Sequence, residues 1–228
     1  VTPQALVIAG PAGTLEAVLE EPVGVTGCAV ICHPHPLQGG TLHNKVVHTL
    51  ARAFQELGFA ALRFNYRGVG ASAGSYGDAV GETDDALAVA AWARARYAPA
   101  PSMQMSLAQF PLALAGFSFG GAVAFKAAVT LAPALLITVA PAVDRVAVAD
   151  SAHLRCPWLI VQGAADEVVA AERVQAWAAG FVPPPDMALL PGVGHFFHGA
   201  LNELRAAAVS FAGQHLGQLS GAKKSPVL

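Results

Sequence analysis

The chain has 228 residues, 13 Lys and Arg against 15 Asp and Glu, and a formal net charge of −2, so it lacks the basic face of a nucleic-acid binder. Its hydrophobic fraction of 54% exceeds the roughly 45–50% of soluble domains, but much of the excess is alanine. The longest apolar stretch, residues 127–143, is cut by Pro133 and Pro141 and falls short of the roughly 20 apolar residues of a spanning helix, which excludes membrane insertion.

The first residues, Val1-Thr2-Pro3-Gln4, carry no basic segment ahead of an apolar core, so no secretory signal is expected. Residues 13–22 contain the alternating Thr14-Leu15-Glu16-Ala17-Val18-Leu19-Glu20, a half-exposed strand near an antiparallel edge. Cys28-Ala29-Val30-Ile31-Cys32 is continuously apolar, as a central parallel strand should be, with Cys28 and Cys32 on one face. With Cys156 they make an odd and small set of three, which fits buried thiols in a reducing, cytoplasmic setting better than a disulfide framework.

Residues 44–57 read as a helix, with Val46, Val47, Leu50, Phe54 and Leu57 at helical spacing, ended by Gly58. Residues 59–64 form the next strand, closed by the turn-rich Arg67-Gly68-Val69-Gly70-Ala71-Ser72-Ala73-Gly74. That glycine pattern approaches a dinucleotide fingerprint but has alanine where the third glycine is needed, so a turn is expected. Residues 82–97 follow as a helix, with Glu82, Asp84 and Asp85 in or near the first turn. There they suit the helix dipole, a structural rather than an acid–base role. Pro99, Pro101 and Met105 fall in a loop. Strands at 111–115, 134–140, 157–163 and 187–190 then alternate with helices at 122–128, 172–179 and 202–216. This alternation predicts an α/β fold: a mostly parallel, doubly wound sheet flanked by helices. Residues 1–216 are read as a single domain and 217–228, with Lys223-Lys224, as a mobile tail.

One motif carries the chemistry. Gly116-Phe117-Ser118-Phe119-Gly120-Gly121 reads G-x-S-x-G between an apolar strand and a helix, the context of a nucleophile elbow. Glycines two residues either side of the serine relieve a bend that side chains would crowd. The helix that follows aims N–H groups and a partial positive charge at the same spot. An idle serine in a Gly-rich turn is the alternative.

A serine hydroxyl needs a base, and the base an orienting acid. Asp166 ends Gly163-Ala164-Ala165-Asp166 at the carboxyl end of a buried strand, where open parallel sheets build their sites. Its competing role is a helix cap, and Asp144 is the second candidate acid. His195 ends Gly192-Val193-Gly194-His195 between the last strand and the last helix, with His198 as its competitor. The order Ser…Asp…His is that of elbow-type hydrolases.

For an oxyanion, Phe119 N–H is one expected donor, and the loop His33-Pro34-His35-Pro36-Leu37-Gln38-Gly39-Gly40 supplies the other. Proline has no N–H, which leaves His35 or Leu37, with His35 favoured. Leu37, Tyr66 and Phe196 are candidate apolar walls for a substrate. Arg67 reads as a turn anchor, with contact to an anionic substrate as the alternative. Cys32, His33, His35, His43 and His48 do not make a metal site, because adjacent strand residues point opposite ways and no second ligand pair has site-like spacing. No metal is expected, and His33 is expected to hold loop backbone by hydrogen bonds.

Together the elbow, Asp166, His195 and the turn Arg67-Gly68-Val69-Gly70-Ala71-Ser72 resemble the α/β-hydrolase superfamily, over roughly residues 14–216. More narrowly, His33-Pro34-His35-Pro36, Gly39-Gly40 and Asn44-Lys45-Val46-Val47 are similar to a group of small bacterial hydrolases with esterase-like or dienelactone-hydrolase-like folds. Many relatives insert a helical cap between the strands that here end near Pro141 and begin at Pro157. That gap is too short for one, so no large cap domain is expected. A serine nucleophile also disfavours the dehalogenase chemistry that other relatives perform with aspartate. The resemblance implies cleavage of carboxylic esters or thioesters through an acyl-enzyme on Ser118, with His195 and Asp166, a small-molecule acyl substrate and no cofactor. Acyltransfer, peptide cleavage and non-catalytic ligand binding on the same scaffold stay open.

Overall fold

The computed structural model describes residues 1–98, 110–146 and 154–221, with side chains through residue 216. The loop expected at Pro99, Pro101 and Met105 and the end of the expected tail, residues 222–228, lie outside the described residues.

Among the described residues eight strands make one sheet: β1 (Gln4–Gly10), β2 (Gly13–Glu20), β3 (Gly27–Cys32), β4 (Phe59–Phe64), β5 (Leu112–Phe117), β6 (Leu135–Val139), β7 (Trp158–Gly163) and β8 (Asp186–Leu190). Five α-helices accompany them among the described residues: α1 (Lys45–Glu56), α2 (Val80–Arg96), α3 (Phe119–Leu131), α4 (Ala171–Ala178) and α5 (Leu201–Gly221). The strand order is β1-β2-β4-β3-β5-β6-β7-β8. The β1–β2 and β2–β4 pairs are antiparallel, and every other pair is parallel.

Strands β3 to β7 are buried along their whole length, because helices cover both faces. Successive side chains feed opposite cores. Cys28, Val30 and Cys32 join the layer of α2, α3 and α4, whereas Ala29 and Ile31 join that of α1 and α5. The two cysteines expected on one face do share it. Among the described residues only the turn Val143–Arg145 stands between β6 and β7. No described helix is long and apolar enough to cross a membrane.

Local chemistry sets the helix ends. Asn44 Oδ1 accepts the N–H groups of Val46 at 2.9 Å and Val47 at 3.5 Å and so starts α1. Helix α2 begins two residues before the expected Glu82, because the buried Glu82 carboxylate accepts the N–H groups of Gly77 and Ala79, each at 2.8 Å. Helix α5 runs five residues past the expected Leu216. Strand β1 was not anticipated from the sequence. It is an edge strand whose only buried side chain is Ile8, so it carries no apolar alternation to read.

Candidate active site

The parallel strands place three loops at one edge of the sheet. Ser118 links β5 directly to α3 and adopts φ 54°, ψ −117°, a strained conformation for a residue with a side chain. The glycines around it are required by contact. A Cβ on Gly116 would lie 2.0 Å from the Gly120 carbonyl oxygen, and one on Gly120 would lie 2.3 Å from the carbonyl oxygen of Cys32. The start of α3 is thus pressed against the end of β3 and the loop that carries His35.

Asp166 follows β7 and His195 follows β8. His195 Nε2 lies 3.1 Å from Ser118 Oγ, and His195 Nδ1 lies 2.8 Å from Asp166 Oδ2. A carboxylate only accepts, so Nδ1 carries the proton and Nε2 is left to accept from the serine hydroxyl. His195 and Asp166 are both buried, whereas Ser118 is partly open.

The Asp166 carboxylate is fully used. Oδ1 accepts the N–H groups of Val168 and Val169, and Oδ2 accepts Gln162 Nε2 beside His195. Burial works to raise its pKa, but the bonds from His195, Val169 and Val168 outweigh burial and hold the group below the ordinary carboxylate range. It does not cap α4, whose N-cap is Ala170. The competing candidates lie elsewhere. Asp144 is exposed in an ion pair with Arg173, and His198 is exposed with its ring against Phe196.

The loop after β3 keeps His35 close to this centre. The His35 ring lies 4.8 Å from that of Phe119. Leu37 N–H donates to His35 Nδ1, which leaves His35 as the candidate second oxyanion donor. His33 holds backbone as expected. Its Nδ1 faces the Pro34 carbonyl oxygen at 2.7 Å, and its Nε2 accepts Tyr66 N–H at 3.2 Å. Burial pushes its pKa down to about 4, so the ring is neutral.

Of the three candidate walls, Leu37 (70% exposed) and Phe196 (49% exposed) present apolar surface. Phe196 also sets its ring edge-on to His195. Tyr66 is corrected: it is wholly buried and packs behind His33 and Phe119, because β4 delivers it to the core rather than the rim. Arg67 is a turn anchor, gripping the buried Asp85 through both its backbone N–H and its guanidinium. Cys32, pushed up to about 12 by burial, supplies no thiolate. Among the described residues, no group of three or more His, Cys, Asp and Glu side chains comes together to hold a metal ion.

Two supporting residues escaped the sequence reading. Gln162 lies within the buried strand β7 and holds Asp166. A lone polar residue in an apolar run was its only signal. Glu167 accepts the backbone N–H of His195 at 3.2 Å, and nothing in its local sequence marks it.

The family model described as serine aminopeptidase, S33, matches residues 28–148. A structure of an α/β serine hydrolase homologue from Coxiella burnetii is 42% identical, with a TM-score of 0.82, over 92% of this chain and 97% of that one. A lidless α/β serine hydrolase from Xanthomonas campestris is 37% identical, with a TM-score of 0.81, over 99% of this chain and 98% of the other. The uncharacterized protein RP471 of Rickettsia prowazekii is 30% identical across 87% of this chain and 84% of its own length.

Proposed function

This chain belongs to the serine aminopeptidase, S33, family within the α/β-hydrolase superfamily, and from that premise we propose that it cleaves carboxylic esters or thioesters of small acyl substrates through an acyl-enzyme. The observation that carries the reading is the unbroken chain from Ser118 Oγ through His195 to Asp166.

In this reading Ser118 attacks the acyl carbon while His195 Nε2 takes its proton, and Asp166 steadies the imidazolium that results. The developing oxyanion takes the N–H of Phe119, at the head of α3, and that of His35. His195 then returns its proton to the departing alcohol or thiol. A water molecule, activated by the same imidazole, attacks the acyl-enzyme and frees the acid. Leu37 and Phe196 flank the entrance as apolar contacts. The reading needs no cofactor. A cytoplasmic setting belongs to it, supported by three unpaired cysteines.

The test is labelling with a fluorophosphonate, read by peptide mass spectrometry, beside a panel of aromatic esters and acyl thioesters. We expect a single adduct on Ser118, absent in Ser118→Ala, and turnover of at least one substrate series. An unlabelled Ser118 would falsify the assignment. A peptidase reading draws support from the description of the matched family. Hydrolysis of aminoacyl anilides at rates comparable to the matching esters would favour it over the esterase reading.

A further inference from the structure

Four segments far apart in the chain meet beside the two proposed oxyanion donors: the loop after β3 with His35, the loop after β4 with Tyr76 and Asp78, the start of α3 with Phe119, and the turn after β6 with Arg145. Tyr76 Oη donates to Asp78 Oδ1 at 3.0 Å and lies 3.4 Å from His35 Nε2. Arg145 Nη1 donates to the same carboxylate oxygen at 2.8 Å, and Arg145 Nη2 lies 3.4 Å from His35 Nε2. The Arg145 guanidinium stands 5.2 Å over the Phe119 ring, against which the His35 ring also packs.

The direction of the hydrogen bonds follows from the loop itself. Leu37 N–H donates to His35 Nδ1, so a neutral ring carries its proton on Nε2, and of the two groups beside that nitrogen only Tyr76 Oη can accept it, because the Arg145 guanidinium only donates. Tyr76 Oη in turn donates its hydrogen bond to Asp78, and Arg145 holds Asp78. Burial, then the nearby Arg145 charge, keeps His35 below the ordinary histidine range, which agrees with a neutral ring.

The backbone is forced to reach this arrangement. Asp78 and Ala79 adopt φ 49° and 65° in succession, a region that residues with side chains avoid. The buried Glu82 carboxylate clamps both sides of that bend through Gly77 N–H and Ala79 N–H. A strained turn held in place by a buried charge, with an aspartate that holds the tyrosine and the arginine facing one ring, is what a positioning device requires.

We propose that Tyr76, Asp78 and Arg145 are positioning residues, a relay that fixes the His35 ring and thereby keeps the N–H groups of His35 and Phe119 aimed at one point. The inference rests on the hydrolase reading above. The relay touches no reacting atom. Its effect is to hold the donors where negative charge develops, so it acts on the transition state and leaves substrate binding alone.

Tyr76→Phe keeps the ring packing and removes only the hydroxyl. Deleting a whole oxyanion donor costs about 10²–10³ in kcat, and letting one swing is expected to cost about tenfold. KM should stay within about twofold, and the melting temperature should match the parent. Affinity for an aryl boronic acid, which forms a tetrahedral adduct on serine, should fall by the same factor as kcat. Inhibition by the product carboxylate should not move. Because Asp78 holds both Tyr76 and Arg145, which each reach the His35 ring, Asp78→Ala should cost more than Tyr76→Phe, and Tyr76→Phe with Asp78→Ala should lose no more than Asp78→Ala alone. Unchanged kcat in Tyr76→Phe, a rise in KM alone, or additive losses in the double variant each overturn the relay while an active parent leaves the hydrolase reading standing. A parent enzyme with no turnover and no Ser118 adduct overturns that reading, and the relay with it.

Discussion

The backbone N–H of His195 donates to the Glu167 carboxylate at 3.2 Å, while the imidazole of the same residue donates to Asp166. Two successive acidic residues therefore hold one histidine, one by its ring and the other by its main chain. A Cβ on Gly194 would lie only 2.8 Å from Glu167 Oε2, so the loop passes tightly over that side chain. Glu167 is exposed, and water competes for its bond. We expect Glu167→Ala to lower kcat about three- to tenfold, the worth of about 1 kcal/mol, and to leave KM within twofold. Steady-state kinetics on the best ester from the panel decides it; a loss confined to KM would assign Glu167 to substrate contact instead.

The choice between acids and between bases has a sharper readout. Asp166→Asn should reduce kcat on the order of 10³–10⁴-fold, since an asparagine there favours the wrong imidazole tautomer. His195→Ala should cost at least as much. Asp144→Asn and His198→Ala remove exposed groups that reach neither Ser118 nor each other's partners, and both should keep kcat within about twofold of the parent. Kinetics of the four variants, with intact folding checked by circular dichroism, tests the set. A collapse in Asp144→Asn would move the acid to the loop after β6.

Stability should depend on pH through His33. Its folded pKa is depressed to about 4 from an ordinary value near 6.5, so between those values the unfolded chain binds a proton that the folded chain refuses. The contribution is whole above about pH 6.5 and is lost as pH falls toward 4, amounting to about 3 kcal/mol. Asp166, also depressed when folded, adds a loss of the same sign at lower pH. Urea unfolding at pH 7.0 and 4.5 for the parent and His33→Gln separates the two. The parent should lose more stability between these conditions than the variant, and equal losses would show that His33 carries none of the dependence.

The residues that were legible in the sequence are those whose local pattern states their role. The apolar runs of β3, β5 and β7 mark buried parallel strands, and the glycines at 116 and 120 mark a turn where a Cβ would strike backbone. Asp166 and His195 follow, because parallel strands deliver their following loops to one edge. What was missed depends on contacts between distant segments. Tyr66 looks like a rim aromatic until β4 carries it into the core. Tyr76, Asp78 and Arg145 lie on two loops with no shared motif and come together only when β4, β5 and β6 are in place. Strand β1 is held by its pairing with β2 rather than by burial, and pairing leaves little trace in composition.

Ala132 offers a stabilising change away from the site. It ends α3 in a left-handed conformation, φ 44°, ψ 64°, and its side chain is exposed. An L-residue pays roughly 1–2 kcal/mol for that backbone, whereas glycine adopts it freely and is the common residue at such helix ends. Glycine also gains entropy in the unfolded chain, which returns about 0.4–1 kcal/mol of the benefit. No buried contact is lost, because the methyl faces solvent. The balance favours Ala132→Gly by about 0.5–1 kcal/mol, or about 1–4 °C in Tm for a chain of this size. Differential scanning calorimetry measures it, with Ala128→Gly as a contrast: that residue is buried within α3, where glycine costs about 1 kcal/mol in helix propensity alone. A fall in Tm for both variants would mean that the left-handed end of α3 carries no strain for glycine to relieve.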